Sequence, residues 1–413
     1  MPRPNWIQRM WVKSASNPPI TYFTGGGTYS WPKWNYRVYC EEGYQANPYV
    51  FRGINFVTNG LGSLNWQLHR RLKDGEVEEV NDHPLLDLID RPNRYTGKSL
   101  FFQTVGSHLL IGGASHTLKI GPNSGPPTEL HSLTPSAVTL QKGDAVDPIK
   151  AFKYKPDAMK SGEVYGPGDV IYMRVFNPLA PLEPFPPMAA MARAVDMSNE
   201  AHTWNMSLLK NSARPPGAFV VDGSLTDEEY ERAKQDMRAN LQGGPNAGNP
   251  LLLEGGATWV PFGYSPAEMG WDNLVKITAR EVALVLNIPP ECLGDESTKT
   301  YSNYRTAVRA AWTEGILPLA DMVRDELNVW LVPDFEDDGD DLYLDYRRDD
   351  IEALREDRDS LWTRAIGAVN SGVLTPNEAR EEIGRSPIDG GDELIVQANR
   401  VPLDALTGMG PVE

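Results

Sequence analysis

The sequence predicts an α+β protein divided into two or three packed regions, and three observations carry that expectation. The chain has 413 residues, too many for one ordinary hydrophobic core. Between Ser115 and Arg174 short β-type runs alternate with Gly, Pro and Asp turns, the pattern of antiparallel strands. Elsewhere apolar residues recur at helical spacing behind recognisable start signals.

Taken in order, the first forty residues are rich in Trp and Tyr around Gly25, Gly26 and Gly27 and show no period, so they read as an irregular arm. Such an arm is first of all a packing extension, although exposed aromatics also mark contacts between subunits. From Asn47 to Trp66 the apolar residues Val50, Ile54, Val57, Leu61 and Leu64 recur at helical spacing, despite Gly53, Gly60 and Gly62, and predict a helix leading into a strand. Residues 67–72 read as extended, Lys73-Asp74-Gly75 as a hairpin turn and residues 77–80 as the return strand. Residues 84–90 make a short helix stopped by Pro92, and residues 99–111 a longer one ended by Gly112 and Gly113. Strands follow at 116–120, 137–141 and 170–173, and the Pro-rich stretch 178–187 marks a joint.

Residues 188–211 are helical by composition, with Met191, Val195, His202, Met206 and Leu209 on one broad face. Arg214-Pro215-Pro216-Gly217 must stop that helix. A compact β-α-β-β unit comes next: a strand at 218–221, a helix from Thr226, and strands at 251–253 and 258–262. Thr226 and Glu229 form a capping box, and Gly243-Gly244-Pro245 ends the helix. Ser265-Pro266-Ala267-Glu268 is a second capping box with Pro at the first helical position. The helix it opens carries Trp271, Leu274, Val275, Thr278, Val282 and Val285 in one stripe. It closes at Asn287, a residue that tolerates the left-handed conformation, before Pro289 and Pro290.

The loop from Glu291 to Thr300 is polar, with only Cys292 and Leu293 as apolar anchors. A helix over 302–331 would span ~45 Å, kinked midway by Gly315 and Pro318. After an acidic turn and a strand at 342–346 the chain is helical, with a third capping box at Thr375-Pro376-Asn377-Glu378. No internal repeat is visible.

Composition narrows the function. Hydrophobic residues at 40% and charged residues at 23% are those of a folded globular protein. No run approaches the ~18 apolar residues of a membrane helix and no cleavable leader opens the chain, so a soluble protein that is not exported is expected. Cys40 and Cys292 cannot build a disulfide framework or a four-thiolate zinc site; they read as packing side chains in a reducing cytoplasm. A net charge of −17 argues against a tight nucleic-acid clamp, which owes its affinity to Lys and Arg. It leaves room for DNA as cargo, because a duplex slides more easily past a surface that holds phosphates weakly.

No motif assigns chemistry. His69, His83, His108, His116, His131 and His202 lack the His-Glu-x-x-His spacing, and neither a Gly-x-Ser-x-Gly elbow nor a Gly-x-x-x-x-Gly-Lys-Ser/Thr phosphate loop occurs. Asp334-Phe335-Glu336-Asp337-Asp338-Gly339 with Asp345 approximates a calcium loop. Its last ligand is Asp rather than Glu, its eighth place is Asp341 and a strand follows it, so a solvated acidic turn is the better reading. The same cluster is where a carboxylate-dependent hydrolase, one alternative function, would place its acids. Catalytic residues, metal ligands and cofactors are therefore set at none.

Several strings, spread from about residue 47 to residue 396, resemble the portal proteins, or head–tail connectors, of tailed double-stranded DNA bacteriophages. They are His83-Pro84-Leu85 with Arg91-Pro92-Asn93; Leu109-Leu110-Ile111-Gly112-Gly113-Ala114; and Lys210-Asn211-Ser212-Ala213-Arg214-Pro215-Pro216-Gly217. Two more are Ile288-Pro289-Pro290-Glu291-Cys292-Leu293-Gly294 with Thr300-Tyr301-Ser302-Asn303, and Gly372-Val373-Leu374-Thr375-Pro376-Asn377-Glu378-Ala379-Arg380 with Gly390-Gly391-Asp392. Each alone is weak; together, in this order, they are specific. The family often has Gly where Ser212 stands and Gly-Val-Pro where Asn287-Ile288-Pro289 stand, departures that touch helix caps rather than the fold.

The resemblance implies an α+β portal fold with wing, stem helices, small α/β clip and helical crown, assembling into a ring of usually about twelve subunits. Laid on this chain, 1–46 would be an N-terminal arm, 47–186 the wing, 187–214 a stem helix, 215–264 the clip and 265–290 the second stem helix. Residues 291–303 would be a tunnel loop, 304–346 a wing helix and strand, and 347–413 the crown and C-terminal tail. Thr298, Lys299, Thr300, Tyr301, Ser302 and Asn303 are the implied DNA-facing residues, one cation among small polar groups that guide a duplex without reading bases. Twelve copies at −17 carry roughly −200 in all, which keeps phosphates from adhering to the wall.

The implied role is structural and not enzymatic: a channel at one capsid vertex for packaging and ejection of double-stranded DNA, assembled in the host cytoplasm and resident in the virion. The absent phosphate loop implies a separate motor, the large terminase, as partner, along with a head–tail adaptor and the major capsid protein, and no membrane. Another virion structural protein, a capsid or adaptor subunit, is the further alternative; closed rings rather than shells or tubes separate the two.

Overall fold

The computed structural model describes residues 35–394 except 123–124, 159–160, 211–216, 221–225, 229, 233–234, 236–257, 262–270, 296–300, 337–340 and 356–357. The expected arm therefore lies outside the described residues up to position 34, and its remainder is a correction. Asn35 has an extended backbone and its side chain accepts from Arg37 N, which caps a helix α1 (Tyr36–Val38) running on as a π-helix over Tyr39–Gln45. The absence of apolar periodicity hid this segment, because none of Tyr36–Val38 is buried.

Helix α2 (Pro48–Gly62) starts at Asn47, whose side chain accepts from Tyr49 N and Val50 N. Its glycines are contact points rather than weaknesses. A Cβ on Gly53 would stand 2.5 Å from Leu286 Cδ1, and one on Gly60 2.7 Å from Ile316 Cδ1. Strands β1 (Trp66–Arg71) and β2 (Val77–Val80) form the expected hairpin, followed by α3 (Pro84–Asp90) and α4 (Lys98–Gly112). Gly113, at φ 76, ends α4. Helices α2 and α4 lie against each other, and β11 (Leu342–Tyr346) returns from far along the chain to pair with β1, setting Trp66 opposite Tyr346 and Leu68 opposite Leu344. Alternate residues of both strands point into one core: Trp66, Leu68, Leu342, Leu344 and Tyr346 are all buried.

Two further antiparallel sheets follow. β3 (Ala114–Ile120) lies between β4 (Glu129–Leu133) and β8 (Val170–Arg174), and β6 (Ile149–Tyr154) between β5 (Val138–Lys142) and β7 (Glu163–Tyr165). They enclose a smaller core of Ala114, Leu118, Leu133, Phe152, Val170 and Tyr172.

Helix α5 (Pro187–Lys210) packs along α6 (Trp271–Val285). The face expected on α5 is buried only at its start. Met188, Met191, Val195 and Ala201 are inside, while His202 and Met206 are exposed, because the π-helix and α4 pack against only part of α5. Between the two helices β9 (Gly217–Val220) pairs antiparallel with β10 (Thr258–Pro261), and helical residues begin right after Thr226. The expected strand 251–253, the Gly243-Gly244-Pro245 stop and the Ser265 capping box lie outside the described residues.

The long helix beyond the loop is continuous in three parts: α7 (Tyr301–Ala310), a π-helical turn (Ala311–Ile316) and α8 (Leu317–Trp330). The π turn sits where Gly315 and Pro318 predicted a kink, in line with the helix breaks that Pro and π-bulges produce. A Cβ on Gly315 would come within 2.8 Å of the Asn287 carbonyl. Helices α9 (Arg358–Asn370) and α10 (Pro376–Glu382) complete the described chain, with both halves of the Thr375–Glu378 capping box made.

Candidate functional site

The segment between α6 and α7 is built to hold a loop by its base. Helix α6 must end at Asn287, which takes φ 52 and is the one non-glycine residue with positive φ among those described. Ile288 N then reaches back to Ala283 O at 3.0 Å, satisfying an orphan carbonyl of the helix end. Pro289 points the chain into a 3₁₀ turn, Pro290–Leu293, closed by Gly294 at φ 98. Cys292 and Leu293, the two apolar anchors expected from sequence, are buried among Val50, Ile54, Val282 and Leu286.

Two polar contacts lock this base. Arg52 Nε donates to Cys292 O at 2.7 Å, and Arg280 Nε donates to Asp295 Oδ2 at 2.8 Å, where the Asp295 side chain is only 9% exposed. Burial, then Glu291, push the Cys292 thiol up to about 11, so it stays protonated and packs as an apolar group. Neither Arg52, Arg280 nor Asp295 was singled out by sequence reasoning, since Arg52 and Cys292 stand far apart in the chain. Gly53 was the only trace, a residue that weakens a helix unless something packs against it.

Of the expected DNA-facing residues, Thr298, Lys299 and Thr300 lie outside the described residues. Tyr301, Ser302 and Asn303 do not belong to the loop: they form the first turn of α7, with Asn303 exposed. Within the 291–303 span expected as a loop, residues up to Leu293 form a 3₁₀ turn and those from Tyr301 are helical. Burial of Ala307 and Ala311 one turn apart fixes α7 against the core and carries its helical register back to residue 301.

Three described carboxylates of the acidic segment are engaged in structural contacts. Asp334 Oδ2 accepts from Lys119 Nζ at 2.6 Å, Glu336 Oε1 from Leu342 N at 3.1 Å, and Asp345 Oδ1 from Tyr346 N at 2.9 Å. Asp337, Asp338, Gly339 and Asp340 lie outside the described residues, and no group of three or more potential metal ligands occurs among the described ones. No described helix is long and apolar enough to cross a membrane.

Several of the strings that mark the sequence are, in the fold, backbone-setting contacts, while residues 211–216 and Thr300 lie outside the described residues. His83 Nδ1 accepts from Leu85 N at 3.3 Å to cap α3, and the Asn93 amide binds Leu130 O at 2.9 Å. Asn377 donates to Asp392 at 2.7 Å and accepts from Ile388 N at 2.8 Å, while a Cβ on Gly391 would collide with it at 2.4 Å. Residues 48–384 match the family described as phage portal protein. The chain belongs to the phage portal protein family. An uncharacterised protein of Rickettsia bellii is 31% identical over 360 residues, covering 86% of this chain and 90% of its own. The portal protein of Enterobacteria phage HK97 is 21% identical, covering 86% of this chain and 83% of its own. Among solved structures, a chain from the neck of a native gene transfer agent particle, computed with C12 symmetry, aligns with a TM-score of 0.63 at 30% identity, covering 87% of this chain and 95% of that one. The portal resemblance read from the motifs and the α+β portal fold are both borne out.

Proposed function

We propose that copies of this portal-family chain close into a ring around a channel at one vertex of a phage or phage-like capsid, and that double-stranded DNA passes through it during packaging and ejection. The family match over 48–384 carries this reading. Its support in the fold is the paired helices α5 and α6, with the β9–β10 pair between them in the chain, and the locked turn that follows α6. On this reading the wing is 47–186 with 304–346, the stem 187–214 and 265–290, the clip 215–264 and the crown from 347. Pairing of β11 with β1 supports placing both wing parts together. Met197, Met206, Ile277 and Leu284, each about half exposed or more, supply apolar surface on the stem for neighbouring copies.

The chain's −17 charge gives the bore weak adhesion for phosphate, and because the sequence carries no Gly-x-x-x-x-Gly-Lys-Ser/Thr phosphate loop, translocation is powered by a partner, the large terminase, docking at the clip. A head–tail adaptor and the major capsid protein complete the expected partners. Images of the purified protein should show rings with a central hole wide enough for a duplex; a persistent monomer overturns the reading. Lys299→Ala should alter DNA packaging or retention while rings still assemble. Wild-type packaging and retention by that variant would remove Lys299 from the DNA-facing set.

A further inference from the structure

Charge is unevenly spread along this chain. Residues 1–34 hold Arg3, Arg9, Lys13 and Lys33 and no carboxylate, while all 56 acidic residues lie from Glu41 onward. The first acids met after that segment border a groove of about 720 Å³. It runs between the π-helix, which contributes Glu41 and Glu42, and one face of α5, where Asp196, Asn199, Glu200 and Thr203 recur at helical spacing. His202 also lines it, and no Lys or Arg does.

The walls of the groove are fixed to each other. Asn199 on α5 donates through its amide to Glu42 O at 2.7 Å, and its oxygen accepts from Asn47 Nδ2 at 3.2 Å, with Asn47 fully buried. Glu41 pairs with Arg37 at 2.8 Å. Glu42 and Glu200 are exposed, and neither carboxylate has an ion-pair partner among the described residues. Carboxylates held on two fixed walls repel one another unless a cation stands between them.

We infer that residues 1–34 of the same chain fold back into this groove and set their cations between its carboxylates. Charge selects them. The other segment outside the described body, 395–413, holds Arg400 against Asp404 and Glu413 and offers no excess of cations. Continuity selects them too. Trp34 joins directly to Asn35, and Glu41 follows roughly 10 Å along the helix, so Lys33 stands close to the groove. A segment anchored beside its site stays at high effective concentration, which offsets the small contribution of each exposed ion pair. Trp31 and Trp34, flanking Lys33, supply apolar surface for Ala46 and Pro48 of the groove. Docking of this arm needs no ring and is independent of the portal reading, yet it bears on it. Cations seated here face the chain's own carboxylates rather than DNA phosphates, in keeping with a bore that holds phosphate weakly.

Chymotrypsin nicking of the full chain at Trp11, Tyr22 and Phe23 tests this. At low salt these sites should be cut on the order of tenfold more slowly in the wild type than in Glu42→Gln/Glu200→Gln. At about 1 M salt, where charges are screened within roughly 3 Å, the wild type should be cut as fast as the variant. Lys13→Glu/Lys33→Glu should also lose protection, and combining it with Glu42→Lys/Glu200→Lys should restore it. In a mixture of isotopically light and heavy chains, carbodiimide should join Lys33 to Glu42 or Glu200 within one chain. Equal cutting of the wild type and Glu42→Gln/Glu200→Gln at every salt concentration overturns the inference, whether or not rings form. So do cross-links found only between copies, or protection that appears only when DNA or another particle protein is added.

Discussion

His116 shows how much one buried side chain sets. It stacks on Tyr172 with ring centroids 4.9 Å apart, meets Phe152 edge-on, and its Nδ1 finds no partner among the described residues. Burial first, then nearby His108, pull its pKa down from 6.5 to about 3, and burial alone takes His108 to about 4. Both are neutral in the fold and take up protons on unfolding below pH 6.5. Their contribution is therefore whole above that pH and is lost progressively as pH falls toward 3, by a few kcal/mol for His116. Urea melts between pH 7.5 and 4.5 should show stability falling with acid, and His116→Phe should flatten the slope. Gly53 acts through absence: Gly53→Ala puts a methyl where Leu286 already packs, and thermal melts should report a loss of about 1–3 kcal/mol. Neither effect is legible in sequence, where His116 is one histidine of six and Gly53 a poor helix former.

Elements repeat the lesson in reverse, since most were legible. Helix α3 and strands β2 and β11 coincide with the ranges read from pattern, and the Thr375 capping box is made as predicted. Capping signals and Pro punctuation work because they act within a few residues of backbone. Thr375→Ala should cost about 1 kcal/mol, measured by urea denaturation. Asn287 was read as a left-handed helix end and is one, at φ 52. Asn287→Gly should be tolerated, whereas Asn287→Val should cost roughly 1–2 kcal/mol and loosen the loop base, seen as faster exchange at Cys292 and Leu293. The π-helical turn was foreseen only as a kink. Its form depends on Gly315 seating against the Asn287 carbonyl, a contact between two elements that neither encodes alone.

At the scale of the whole molecule the decisive contact is long-range. β11 closes the sheet on β1, and Leu344, fully buried there, also meets Asn328: its N–H donates to the amide oxygen at 2.7 Å and its carbonyl accepts at 2.9 Å. Leu344→Ala should cost about 2–5 kcal/mol, with the loss felt by residues 66–71 as much as by 342–346 in exchange measurements. The sequence by itself determined the α+β class, most of the described helices, the strands other than β4, β6 and β7, and the portal family, because periodicity, caps and turn residues are local and motif strings survive as strings. Tertiary structure alone decided which residues lock the loop base, where the loop ends and how far the α5 face stays buried. Those outcomes depend on what surface stands opposite each side chain, and that is set by chain segments far away in the sequence.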